Sequence, residues 1–332
     1  MADPTGILLF NLGGPDDQGS VEPFLISLFS DRDIIELPLG AITQPIFARL
    51  IAKLRGPSVR RNYALIGGGS PQLRLTRAQA DALEARLNAA VPGRFKTFLA
   101  MRYWHPSTEE ALEAMAQAGV RRIVTLTLFP HWTKATTGSS QKELDRALAL
   151  PRWRDRGFTV TGIDRYAEDP LYLDAFADTV RKALDAFPQE TRARVVIVFS
   201  AHGLPQKFVD QGDPYIGQIE ATRRGLLARL GVPNREVLGY QSRTGPVTWI
   251  GPGTDDLLRE LGREGVKDVL VVPLSFVSDH IETLYEVDIL FAGMAREAGI
   301  TGYRRPAALN THPLFIEALA RLVERHLSGG AS

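Results

Sequence analysis

Eight short apolar runs, separated by longer amphipathic stretches, limit what this chain can become. The first half holds ILLFNL, FKTFLAMRY, RIVTLTLFP and FTVTGIDRY; the second holds VVIVFSAHG, EVLGYQSR, DVLVVPLSF and ITGYRRPAALN. Most of these runs are continuously apolar rather than alternating. A strand of that kind must be covered on both faces, which is the condition of parallel strands alternating with helices. The predicted class is α/β, with four parallel strands to each sheet and flanking helices.

The two halves match each other. AGVRRIVTLTLFPHW, from Ala118, has the pattern of EGVKDVLVVPLSF, from Glu264. VTGIDRYAEDPLYLDAFADTV, from Val160, has that of ITGYRRPAALNTHPLFIEALARLV, from Ile300. A chain of 332 residues is long for one core and suits two domains. The expected division is 1–165 and 166–332, with the last helix returning to the first domain. Ligands of open parallel sheets bind beyond the carboxyl ends of the strands. That is where Asn11-Leu12-Gly13, Arg102-Tyr103-Trp104, Pro130-His131-Trp132, Ser200-Ala201-His202, Gln241-Ser242-Arg243 and Ser278-Asp279-His280 fall. Two such edges facing each other would form a cleft.

Composition narrows the chemistry. Hydrophobic residues make up 44% and charged residues 23%, as in a globular protein, and the net charge of +1 gives no reason to expect nucleic acid. There is no cysteine, which removes thiolate metal sites, a cysteine nucleophile and a cysteine-held iron–sulfur cluster. The start, MADPTGILLFNLGGP, lacks the basic and apolar regions of a secretory signal, and no apolar stretch reaches spanning length, so a cytoplasmic location is expected. YALIGGGSPQ and GPGTDD are glycine-rich, but neither fits a nucleotide-binding loop. Their glycines suit tight turns or the close approach of a flat ligand.

His202 stands where a buried strand surfaces against Gly203 and Pro205, a rigid mount with one open side. Neutral near pH 7, it could accept a proton or bind a metal there, or simply satisfy backbone groups. In SFVSDHIETLYEVDI, Asp279, Glu282 and Glu286 fall on one face of a helix. Such an acid ladder hints at a cation; equally, Asp279 and Glu282 have the spacing of a capping box. Trp249, bounded by Gly and Pro, is a core plug or a pocket wall. Phe24–Leu54 is unusually apolar and ends in Arg49, Lys53, Arg55, Arg60 and Arg61. It reads as helical core or as an exposed lip that touches a membrane surface.

Together LNLGGP, YALIGGGSP, MRYWHPSTEEAL, TTGSS, FSAHGLP, GDPY, YQSRTGPVTWIGPGTDD and FVSDHIETLYEVDI resemble the ferrochelatases, in order and over nearly the whole chain. The resemblance implies two Rossmann-like domains and insertion of Fe²⁺ into protoporphyrin IX to form haem. It implies that His202 and Glu282 are essential, as base and metal-seating groups. Leu12, Tyr63, Ser70, Arg102, Tyr103, Trp249, Phe276, Asp279 and His280 would line the porphyrin pocket or its metal side. Glu286 would begin a carboxylate relay, although Leu290 stands where many relatives place a further acid. Iron is then a substrate; no permanent cofactor, nucleotide or [2Fe–2S] cluster is expected. Peripheral contact with the inner face of the cell membrane is. The alternatives are a coproporphyrin III ferrochelatase, a cobalt chelatase, and a ligand-binding protein without chemistry.

Overall fold

The computed structural model describes residues 3–32, 34, 40–245 and 247–329. Each apolar run contains a strand: β1 (Thr5–Asn11), β2 (Phe95–Met101), β3 (Arg122–Thr127), β4 (Thr159–Ile163), β5 (Val196–His202), β6 (Glu236–Gln241), β7 (Asp268–Pro273) and β8 (Gly302–Arg304). They form two four-stranded sheets, ordered β2-β1-β3-β4 and β6-β5-β7-β8, and every pairing is parallel. The second sheet repeats the order of the first. The chain divides into two compact units, residues 1–165 with 316–332, and residues 166–315.

In the first unit Leu8, Phe10, Ala100 and Ile123 of the sheet pack with Leu112, Met115, Leu144 and Trp153 of the covering helices. In the second, Val196, Val198, Val269 and Val271 pack with Leu258, Val287, Phe291 and Ile300. Each such side chain contributes roughly 1.5–3 kcal/mol by leaving water, which explains why β1, β5 and β7 carry almost no polar residue. At the C-terminal helix, Glu317 pairs with Arg86 of the helix Gln72–Leu87 at 2.5 Å, within the first unit.

The strands deliver their last residues to one edge of each sheet. Asn11 of β1 is in register with Met101 of β2, and His202 of β5 with Gln241 of β6. Two π-helices follow the third strand of each set, Lys134–Gly138 after β3 and Glu282–Phe291 after β7. A π turn carries an extra residue and is uncommon outside functional sites.

The apolar stretch 24–54 splits in two. Residues 33 and 35–39 lie outside the described residues. The helix Val21–Ser30 buries Val21, Phe24, Leu25 and Phe29. The helix Gly40–Ala64 instead leaves Ile46, Phe47, Leu50 and Leu54 exposed, at 65%, 43%, 50% and 71%, while Ala48 and Ala52 are buried. One helix is core, and the other exposes an apolar stripe. Among the described residues no helix is long and apolar enough to cross a membrane.

Candidate active site

β5 ends on His202 because Ser200 and Ala201 keep the strand buried up to that point. Gly203 then lets the chain turn: a Cβ there would lie 2.8 Å from the Gln241 carbonyl oxygen and 3.2 Å from the Trp249 ring. Trp249 therefore lies directly over the residue after His202, its indole nitrogen donating to the Thr244 carbonyl at 3.1 Å. The His202 backbone N–H donates to Ser275 Oγ, and Tyr215 Oη donates to the His202 carbonyl. These bonds fix the mount.

The imidazole ring is fixed as well. Nδ1 of His202 lies 2.6 Å from the Gly203 carbonyl oxygen, so it carries a proton and donates. Nε2 faces Glu282 Oε1 at 3.4 Å. His280 approaches the other carboxylate oxygen, its Nε2 being 3.2 Å from Glu282 Oε2. Phe276 stands edge-on to both imidazoles, with ring centroids 6.2 Å from His202 and 4.3 Å from His280. The site is a carboxylate between two histidines, walled by one aromatic ring. Among the described residues no group of three or more His, Asp or Glu side chains is arranged to hold a metal ion.

The charges follow from this geometry. Burial pulls the His202 imidazole down, but the charge and hydrogen bond of Glu282 outweigh it and lift the imidazole to about 9. Burial likewise pushes Glu282 up, and His202 and His280 hold it well below the usual carboxylate range. The expectation of a neutral His202 near pH 7 is thus corrected: beside Glu282 it is an imidazolium.

Glu286 is held separately. Its Oε1 accepts from the Ser242 N–H at 2.8 Å, and its Oε2 from Ser242 Oγ at 2.5 Å and Gln241 Nε2 at 3.0 Å. Ser242 achieves this double grip with φ of +62°, a left-handed conformation that costs a non-glycine residue on the order of 1 kcal/mol. Gln241 is itself tied to Ser200, and Ser200 to Thr254, through a buried chain. Burial and the charge of Glu282 raise Glu286 above the ordinary glutamate range despite these donors.

Asp279 departs from the sequence reading. Its carboxylate pairs with Arg305 at 3.0 Å and accepts from Asn310 Nδ2 at 2.9 Å. The helix that begins at Glu282 has Ile281 as its N-cap and no side-chain cap. Asp279 and Glu282 therefore make no capping box, and Asp279 does not share a ladder with Glu282 and Glu286. Arg305 also pairs with Asp288 at 2.7 Å, so Asp279 and Asp288 share one cation while Glu282 faces the two histidines.

In the first unit, Leu12 follows β1 and its carbonyl accepts from the Tyr103 N–H. Tyr63 is buried and Ser70 half-buried. The Ser70 N–H donates to the Pro15 carbonyl, bringing loop 66–70 onto loop 12–17. A Cβ at Gly69 would overlap the Asp16 carbonyl. The close approach that this glycine permits is thus to the chain's own backbone, while Gly67 and Gly68 take the positive φ of a turn. Arg102 and Tyr103, at the end of β2, point their polar atoms at Asp31 and Ser139. Asp31 Oδ2 accepts from Arg102 Nη2 at 2.7 Å, Tyr103 Oη at 2.7 Å and Ser139 Oγ at 2.6 Å. The sequence reading did not single out Asp31. Its only signal was an acid inside the apolar stretch FLISLFSDRD.

The ferrochelatase family model matches residues 4–327. The chain belongs to the ferrochelatase family. It is 48% identical over 324 residues to the ferrochelatase of Geotalea daltonii, covering 98% of each chain. With the ferrochelatase of Geobacter metallireducens it shares 49% over 326 residues, 98% of this chain and 99% of that one. With the one from Synechocystis sp. it shares 47% over 320 residues, 96% of this chain and 81% of the relative. Among solved structures, SirB from Bacillus subtilis with Fe³⁺ aligns at a TM-score of 0.54 and 12% identity, over 97% of this chain and 95% of that one. That likeness supports the α/β fold alone. As a ferrochelatase-family member, the chain is an enzyme of the lyase class that inserts metal into a porphyrin in haem synthesis.

Proposed function

We propose that the chain inserts Fe²⁺ into protoporphyrin IX at His202 and Glu282. The observation that carries this reading is the His202–Glu282–His280 arrangement at the end of β5, in a chain of this family. Porphyrin loses two pyrrolic protons as iron enters, so the site needs a base beside the ring. His202 is an imidazolium in the free chain and becomes that base once its own proton leaves. Glu282 receives or passes that proton and, with His202, seats the incoming iron loosely, as a metal in transit requires. Glu286 is the next carboxyl at this four-residue spacing along the π-helix, and Leu290 takes the following place in that series. Trp249 and Phe276 are rigid walls against which a bent macrocycle rests. By the family resemblance, Leu12, Tyr63, Ser70 and Arg102 are further porphyrin-binding residues. Mixing the protein anaerobically with Fe²⁺ and protoporphyrin IX should convert the porphyrin spectrum to that of haem. Coproporphyrin III or Co²⁺ turned over faster would shift the reading to those alternatives.

The exposed stripe Ile46, Phe47, Leu50 and Leu54 supports a second element, peripheral contact with the inner face of the cell membrane. Arg49, Lys53 and Arg55 are exposed on the same helix, and each basic residue near an anionic surface contributes about 1 kcal/mol. An apolar porphyrin could then enter from the bilayer. Co-sedimentation with vesicles should require anionic lipid, weaken with salt, and fall when Leu50 and Leu54 become Ser. Indifference to all three would mean that the stripe does not meet lipid.

A further inference from the structure

The π-helix Glu282–Phe291 is ten residues long, whereas most π segments are a single turn, so contacts from outside must hold it. They come from one stretch, β8 and the loop after it. Tyr303 Oη donates to the Val287 carbonyl at 2.7 Å. Arg305 Nε and Nη2 donate to the two carboxylate oxygens of Asp288 at 2.7 and 2.8 Å, a bidentate pair. Arg305 Nη1 lies 3.0 Å from Asp279 Oδ1. Asn310 holds the segment before the helix: its N–H donates to the Val277 carbonyl, its Nδ2 donates to Asp279 Oδ2, and its Oδ1 accepts from the Asp279 N–H. It does so at φ of +43°, a left-handed conformation that asparagine tolerates. Arg305 exposes 12% of its side chain, so solvent screens its pairs far less than it screens a surface ion pair. Asp279 precedes Glu282, and Asp288 follows Glu286. One guanidinium therefore ties together both sides of the segment that carries the two site carboxylates.

We propose that Arg305 is a positioning residue for metal insertion: by bridging Asp279 and Asp288 it fixes the π-helix so that Glu282 stays between His202 and His280. The proposal rests on the reading that Glu282 acts in the reaction. Among the described contacts the Glu282 carboxylate meets only the two imidazoles, so its place is set by the backbone beneath it. That backbone is held at Glu282 by Gln241 Nε2, which donates to its carbonyl at 3.1 Å, and on either side by Arg305. The bridge needs an arginine. A planar fork presents donors to two carboxylates at once, whereas a lysine brings one point charge and can satisfy only one of them well. A displacement of a catalytic group by about 1 Å can cost about a hundredfold in rate.

The test measures the single-turnover rate of Fe²⁺ insertion into bound protoporphyrin IX, the protoporphyrin Kd without metal, and the thermal midpoint. Arg305→Lys keeps the charge. It should hold the midpoint within a few degrees and the Kd within about twofold, while the insertion rate falls about tenfold or more. Asp288→Asn should slow insertion similarly, and the double variant should be no slower than the slower single one. A wild-type rate in either single variant, losses that add in full in the double variant, or a loss confined to the Kd would overturn the proposal. Should Arg305→Lys fail to fold, Asp288→Asn, at a side chain 35% exposed, carries the test with the same outcomes. Amide hydrogen exchange reads the clamp without turnover. Residues 282–288 of the variant should exchange about tenfold faster while β5 and β7 keep their protection, and unchanged exchange over 282–288 would overturn the proposal. Wild-type protein that inserts no iron, in company with that local acceleration in the variant, would sink the reading of Glu282 in iron insertion and leave the clamp on its position standing.

Discussion

Replacing Glu282 with Gln keeps the shape of the side chain and removes its charge. In the wild type that charge lifts His202 from 6.5 to about 9 across 3.4 Å. A lift of this size corresponds to about 3 kcal/mol favouring the protonated pair. His202 exposes 36% of its side chain, so solvent screening reduces the expected figure to about 1–2 kcal/mol. A base whose pKa is raised by folding stabilises the fold fully below its unfolded value and loses that contribution as pH rises through the folded one. The gap in unfolding free energy between wild type and Glu282→Gln should therefore be largest near pH 6 and shrink between pH 6.5 and about 9. Urea unfolding across that range measures it, and imidazole NMR should show His202 titrating lower in the variant. The reasoning fails if the gap does not change with pH, or if His202 titrates near 6.5 in the wild type. A helix cap would cost about 1 kcal/mol or less, evenly over this range, and leave turnover intact. The same variant should instead lose orders of magnitude in iron insertion.

Three further outcomes are expected. His202→Ala should abolish insertion while leaving the thermal midpoint within a few degrees of wild type, since the residue caps a strand end and fills no core. Gly69→Ala should destabilise by about 2 kcal/mol or more in urea unfolding, because its Cβ would overlap the Asp16 carbonyl. Burial holds the His131 imidazole down to about 3, so the unfolded chain takes a proton below about 6.5 that the folded chain refuses. Stability should fall by roughly 1.4 kcal/mol for each pH unit below that point, and His131→Asn should flatten the slope.

The sheets were legible because their residues must be apolar on both faces, a demand visible in each run without knowledge of the rest. His202 was legible for a related reason: a polar residue at the end of such a run has nowhere to go but the edge. What escaped depends on distance or on helix type. Asp31 lies 71 residues from Arg102 and 108 from Ser139, and nothing local announces their meeting. The capping box at Asp279 and Glu282 matched a spacing that is meaningful only if an α-helix starts there; instead Arg305 and Asn310 take Asp279. The state of His202 was misjudged because a histidine's charge is set by its neighbour, and Glu282 is 80 residues away.

The π-helix Glu282–Phe291 shows in hindsight as a repeat of four: Thr283, Val287 and Phe291 are its buried residues, where an α-helix would drift by about 40° at each step. Its consequence concerns length. A π turn holds one residue more than the α-helical turn of the same span. Removing a residue between Glu282 and Glu286 would regularise the helix and swing Glu286 about 100° away from Gln241 and Ser242. A substitution at half-buried Leu284 or Tyr285 leaves this register in place, whereas a change in the length of the segment does not. The five-residue π segment before Ser139 occupies the same place after the third strand of the other sheet, and there too the extra residue sets where the next side chain lands. In this chain one residue added to or taken from a π segment would displace more of the site's contacts than a single substitution would.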